Sequence, residues 1–215
     1  MKFLPLFVAV LVAAGSARDA SSGVRPPQEA ASRPAGYRVH AGMATGTLQV
    51  TVKFSGEAPA SRPVTMPDEW RERNPQDAAA CESCAGTPPP DEAILVDPTS
   101  KGIENVAISL KNITEGPRAP LPALAIDNHC CRFAPHVGFA PIGVALTITN
   151  TDPMSHAAAV TTLGGEPLFT TLVPARDSVK TGEIIAAGIY VLNFPLHALM
   201  RGYVIAFFFN DAATT

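Results

Sequence analysis

Apolar and polar residues alternate with a period of two in several short stretches of this chain. Leu48, Val50, Val52 and Phe54 share one face, with Thr47, Gln49, Thr51 and Lys53 on the other. Val106, Ile108 and Leu110 repeat the pattern, as do Val144, Leu146 and Ile148 against Ala145, Thr147 and Thr149. Such alternation predicts half-buried strands. Gly and Pro clusters punctuate them at Ser55-Gly56, Pro88-Pro89-Pro90, Gly116-Pro117, Gly164-Gly165 and Ala187-Gly188. With 21 Pro, 16 Gly and no long segment of helical period, the pattern predicts many short antiparallel strands in an all-β sandwich. Residues 66–83 are the one stretch where a short helix is expected, and Trp70 within it reads as a cap on the sandwich. No internal repeat is visible.

The two ends read differently from the body. Residues 1–17 carry one Lys, an apolar run from Phe3 to Ala14 and then Gly15-Ser16-Ala17, the layout of a secretory signal peptide. The run is too short to span a bilayer. Residues 18–44, rich in Ala, Ser, Gly, Arg and Pro, bury too little to offset ordering entropy and read as a flexible tether. The expected domain is 45–206. Beyond it, the tail 207–215 (FFNDAATT after Phe207) carries two readings, a sequencing artefact resembling translated adapter sequence, or a genuine final strand with a polar end. The expected location is therefore periplasmic or secreted, with no membrane insertion once the signal is removed. Losing Lys2 moves the formal charge from -3 to -4, and a mildly acidic product of this kind points away from nucleic acid as a partner.

Four cysteines occur as Cys81-x-x-Cys84 and Cys130-Cys131. In an exported protein the default is disulfide bonding. Adjacent Cys130 and Cys131 are poorly placed to bond each other, so two bridges between the pairs are expected. Closing a loop of nearly fifty residues would stabilise the fold by about 4 kcal/mol and pin the 60–92 insertion onto the strand that begins at Phe133. A four-thiolate zinc site would use the same residues but lacks a second spaced knuckle. A redox-active C-x-x-C lacks its usual βαβ setting.

Five histidines are present. His40 in the tether and His129 beside the cysteines read as solvated loop residues, and His136 as a partly buried, satisfied imidazole. His156 opens a strand after the turn Asn150-Thr151-Asp152-Pro153. His197 follows Pro195 in a turn between two strands, and Met200 lies three residues on. Two imidazoles and a thioether from adjacent loop ends form a donor set that suits copper over zinc or calcium.

The stretches GTLQVTVKFSGEAP, CAGTPPPDEAILVDPTSKGIENVAISLKN, AIDNHCCRFAPHVGFAPIGVALTITNTDPMSH and GIYVLNFPLHALMRGYV together resemble the cupredoxin superfamily. The similarity is strongest to plastocyanin-like, methylamine-utilisation-like proteins exported by bacteria, and covers about residues 45–206. The resemblance implies an eight-stranded Greek-key β-sandwich with copper near one end and a disulfide-stapled loop insertion. In relatives a Cys seven before the Asp-Glu accompanies a Cys in the C-R-F-x-P-H segment, which implies a Cys84–Cys131 bridge and leaves the second pairing open. It makes His156 the upstream imidazole ligand, His197 the downstream one and Met200 the axial thioether. The thiolate position falls on Phe194. The Asn that follows the first His is Ala157 here, and the Pro and Trp between His and Met are Ala198 and Leu199.

A thiolate supplies the short, covalent copper bond of a type 1 site. With a phenyl ring in its place, blue-copper electron transfer is expected to be lost or impaired. Three functions follow as expectations: an electron-transfer cupredoxin with an impaired site, a Cu(I)-sequestering or delivery protein, and a metal-free envelope scaffold or adhesion domain. The partner would be a redox protein or a copper donor or acceptor. No Ser-His-Asp set, paired carboxylates or phosphate loop suggests an enzyme.

Overall fold

The computed structural model describes residues 8–11, 38–39, 48–60, 63, 66–84, 91–110, 115–116, 123–195 and 197–207. The elements in chain order are β1 (Val8–Leu11), β2 (Arg38–Val39), α1 (Asp68–Arg73), α2 (Pro75–Ser83), β3 (Ala107–Leu110), β4 (Glu115–Gly116) and β5 (Ala125–His129). There follow β6 (Arg132–Ala134), β7 (Val137–Pro141), β8 (Ala145–Asn150), β9 (His156–Thr162), β10 (Pro167–Val173), β11 (Ser178–Glu183), β12 (Gly188–Phe194) and β13 (His197–Phe207).

Two mixed sheets make the body. One has the order β10-β9-β12-β13-β7 and the other β11-β8-β5-β6. Neighbours are antiparallel except β13 with β7 and β5 with β8, which run parallel. The fold is thus the expected all-β sandwich, with nine strands in its two main sheets among the described residues where the resemblance implied eight.

Period-two burial explains why the sheets close on each other. On β8, Leu146 and Ile148 are wholly buried, while Ala145, Thr147 and Thr149 on the other face are only partly covered. On β12 the inward row is Tyr190, Leu192 and Phe194. Both rows enter one apolar cluster with Ile126 of β5, Phe133 of β6 and Val204 of β13. Burying a side chain of this size contributes about 1.5–3 kcal/mol, so this cluster dominates stability. Gly202 is needed where β13 passes β6: a Cβ there would lie 3.1 Å from the Phe133 Cβ and 3.3 Å from the His136 carbonyl oxygen.

The helical stretch forms two short helices rather than one. Asn74 separates them, and Pro75 begins α2, where its missing N–H is no loss. Trp70 is partly buried against the core cluster, in the capping place expected of it.

The 48–54 stretch departs from expectation. Phe54 and Val52 exchange backbone bonds with Lys101 and Ile103 (2.8 and 3.0 Å), but the rest of 48–54 joins no strand. Leu48 and Val50 are 51% and 38% exposed. Alternation alone needs a sheet to lie on, and here only an isolated bridge, Lys53 with Gly102, is offered.

At the ends, Val8–Leu11 of the expected leader pairs antiparallel with β3, and Arg38–Val39 of the expected tether pairs with β4. Phe207, placed in the tail from sequence, is the last residue of β13 and packs edge-on to Phe139. His40 and residues 208–215 lie outside the described residues.

All four cysteines are bridged, but the pairing corrects the one implied by resemblance. Cys81 joins Cys131 and Cys84 joins Cys130, each with Cα atoms 5.3 Å apart. The reason is geometric. Cys81 lies in the last turn of α2 and Cys84 just beyond it, three residues apart and so on one side. Facing them, Cys130 and Cys131 are the two central residues of the β5–β6 hairpin, which joins His129 opposite Arg132. Both have φ of +54°, the requirement of a type I′ turn. For residues other than Gly this costs about 1–2 kcal/mol each. Two bridges and the Asp152 carboxylate hold the turn in place.

Candidate metal centre

β8 and β9 belong to different sheets, and the five residues between them form the rim where the candidate ligands begin. The inward row of β8 ends on Asn150, which is 1% exposed. Its amide nitrogen donates to the carbonyls of Met154, Val173 and Pro174 at 2.8, 3.2 and 2.9 Å. Its Oδ1 accepts the backbone N–H of Asp152 at 3.1 Å. A single buried amide thus shapes the turn.

The turn places Asp152 as a hub. Its carboxylate, 2% exposed, accepts the backbone N–H groups of Cys130 (2.7 Å) and Cys131 (2.9 Å) and lies 2.8 Å from His156 Nε2. Burial pushes the Asp152 pKa up, but the bonds from His156, Cys131 and Cys130 outweigh it and hold the carboxyl below its ordinary range. An ionised carboxylate only accepts, so Nε2 carries the proton and donates. In the neutral ring Nδ1 then bears the lone pair. A carboxylate that fixes the tautomer and ring orientation in this way is the usual support of a metal-bound imidazole.

His156 is fully buried and starts the inward row of β9, followed by Ala158 and Val160. Phe194, at the end of β12, packs on it with ring centroids 5.3 Å apart and planes at 90°. Phe194, where the resemblance implied a thiolate, thus packs its phenyl ring against the His156 imidazole. Beyond Phe194 the chain turns through Pro195 so that His197 lies opposite Phe194 in the ladder. Asn193 pairs with Arg201, so residues 198–200 are taken up as a bulge on β13. Met200 is 1% exposed and belongs to the core cluster. The side chains of His197, Ala198 and Leu199 lie outside the described residues.

The donors fit a type 1 copper centre only in part. His156 is an oriented imidazole and Met200 a buried thioether, but residue 194 offers no sulfur, and that bond defines the site. Two tighter clusters occur among the described residues: Cys131, Asp152 and His156, all buried, and Cys84, His129 and Cys130. In both the sulfurs are engaged in disulfides.

Sequence reasoning did not select Asp152. The available signal was an Asp four residues before a candidate ligand, in a turn entered by a buried Asn. Of the other described histidines, His129 was expected in a loop but closes strand β5, and His136 is partly buried as expected but in a bend before β7. His129 is exposed, with Nδ1 3.0 Å from Thr151 Oγ1. The His136 side chain is 9% exposed, with Nδ1 3.2 Å from Glu92 Oε2 and its ring edge-on to Tyr203.

No family model matches the sequence, and no curated protein matches it. Solved structures similar to it include a copper-containing nitrite reductase (NirK) from Thermus scotoductus SA-01. That match is 23% identical, covers 41% of this chain and 23% of the other, and has a TM-score of 0.35. A reduced Cu(I) form of an amicyanin mutant at pH 4 is 20% identical over 41% of this chain and 86% of that one, with a TM-score of 0.36. A second reduced amicyanin mutant has the same identity, coverage and TM-score. The chain thus spans under a quarter of the nitrite reductase and most of the length of the amicyanins.

Proposed function

We propose that this chain is an exported cupredoxin-like module in which loss of the thiolate ligand has replaced blue-copper electron transfer by Cu(I) binding. His156, His197 and Met200 would be the ligands. The observation that carries the reading is the Phe194 ring packed at 5.3 Å on His156, whose Nε2 is committed to Asp152. Two neutral imidazoles and a thioether offset little of the charge of Cu(II). Cu(I) is softer, tolerates low coordination and accepts thioether sulfur. A protein of this kind exchanges copper with a donor or acceptor in the periplasm or outside the cell, and performs no catalysis. No helix among the described residues is long and apolar enough to cross a membrane.

Anaerobic titration of the oxidised, purified chain with Cu(I) against a competing chelator, and separately with Cu(II) under absorption spectroscopy, tests this reading. Saturable uptake of one Cu(I), lost in His156→Ala or Met200→Ala and unaccompanied by blue colour with Cu(II), is expected. Intense blue colour in the wild type would overturn the assignment of residue 194. Absence of Cu(I) uptake would leave a metal-free envelope scaffold, a reading favoured by the buried Asp152–His156 pair, which orders the rim without metal.

A further inference from the structure

The two disulfides sit side by side yet differ in exposure. Cys81 and Cys131 are each 3% exposed. In the other bridge Cys130 is 6% exposed, but Cys84, one residue past the end of α2, is open to solvent. Thiol–disulfide exchange needs a path for the attacking thiolate to reach a sulfur, and exposed bridges are the labile ones. An external dithiol can reach Cys84 Sγ and cannot reach the buried pair without opening the fold.

Beside the exposed bridge stands a ligand. One donor atom each from Cys84, His129 and Cys130 lies within 4.8 Å of the other two, and His129 is itself exposed. Thr151 Oγ1 sits 3.0 Å from His129 Nδ1, which fixes the ring beside the bridge. Two sulfurs and an imidazole at this spacing, with one position open to water, match a tetrahedral zinc site.

We propose that the Cys84–Cys130 bridge is a redox-gated metal site: reduction by a dithiol opens it, and the two released thiols bind Zn(II) together with His129. In the first step the dithiol gives two electrons and two protons, its own sulfurs join, and the Cys84–Cys130 bond breaks to two thiols. In the second, Zn(II) takes both sulfurs as thiolates and two protons leave to solvent, so the two thiolate charges balance the cation. Cys81–Cys131 keeps the insertion pinned throughout, which is why the fold survives the opening. Its ligands differ from His156, His197 and Met200, although Thr151 and Asp152 of the rim contact His129 and the Cys130 amide, and its test does not depend on copper.

The full chain is treated with a limited amount of dithiothreitol, desalted anaerobically and divided. Alkylation and peptide mass analysis should place label on Cys84 and Cys130 and leave Cys81–Cys131 intact. Titration with Zn(II) alone should show one ion bound per reduced chain with release of two protons, and none bound by the oxidised chain. Cys84→Ser/Cys130→Ser should remove binding, and His129→Ala, at an exposed position, should weaken it at least about tenfold. Label appearing first on Cys81 and Cys131 overturns the gate. Equal zinc binding by oxidised and reduced chains, no binding by the reduced chain, or undiminished binding by the Cys84→Ser/Cys130→Ser variant overturns the site.

Discussion

Asp152 and His156 are joined across the end of the sandwich, Oδ2 to Nε2 at 2.8 Å, with side chains 2% and 0% exposed. The same carboxylate holds both amides of the Cys130-Cys131 turn. It therefore ties β9, in one sheet, to the β5–β6 hairpin in the other and to the bridges behind it. Removing it strands two turn amides and an imidazole donor away from water. Breaking a buried, hydrogen-bonded pair by deleting one partner typically costs about 3–5 kcal/mol. Asp152→Ala should lose that much stability by urea denaturation, and Asp152→Asn, which keeps one acceptor, clearly less. Equal stability of wild type and Asp152→Ala would show that the hub is dispensable.

Acid should expose the same pair. Burial pushes the Asp152 pKa up, and the bonds from His156, Cys131 and Cys130 pull it below its ordinary 3.8. A carboxyl with a depressed folded pKa contributes stability that is complete above its unfolded value and is lost as pH falls through the folded one. Stability should hold from neutral pH to about pH 5, then decline from about pH 4 downward. The loss should be steeper for wild type than for Asp152→Asn. Urea midpoints measured at several pH values check this, and parallel curves for the two proteins would remove Asp152 from the account.

The two bridges enclose nearly the same loop, with separations of 50 and 46 residues. Either one alone closes it, so their contributions cannot add. On the chain-entropy account one closure of this size is worth about 4 kcal/mol. Paired Ser substitutions in one bridge should cost well under that, and removal of both should cost more than the two single-bridge losses combined. A double-mutant cycle on thermal or urea unfolding measures the coupling. Additive losses would show that the bridges act through local packing instead.

How much of this could be read beforehand depended on whether the signal was local. Leu146 and Ile148 announce β8 because their alternation lies on a sheet that buries one face. Leu48 and Val50 show the same alternation and stay exposed, since no strand among the described residues pairs with them. The cysteines could be assigned to bridges from their compartment. Which partner each takes depends on the line of α2 against a hairpin fifty residues away, information that adjacent and i,i+3 spacings do not carry. His156 was legible as a candidate ligand and Phe194 as its misfit neighbour through resemblance to a whole pattern. Asp152 was not, because its role comes from a non-repetitive turn shaped by the buried Asn150 side chain.

Phe194 offers the sharpest test of the rim. Its ring is buried, packs on His156 and belongs to the apolar cluster. Replacing it by Cys removes most of that packing and should destabilise the metal-free chain by about 2–4 kcal/mol. The same change adds a thiolate beside an imidazole already oriented by Asp152, so Phe194→Cys should take up Cu(II) with an intense visible thiolate-to-copper band that the wild type lacks. Binding to the folded state alone then raises stability, by about 2.7 kcal/mol at a hundredfold excess of ligand over Kd. Thermal unfolding of Phe194→Cys with and without Cu(II), followed beside the absorption spectrum, reads both effects. A folded but colourless Phe194→Cys protein would mean that residues 156, 194, 197 and 200 do not converge on one metal, and the copper reading of this rim would fall with it.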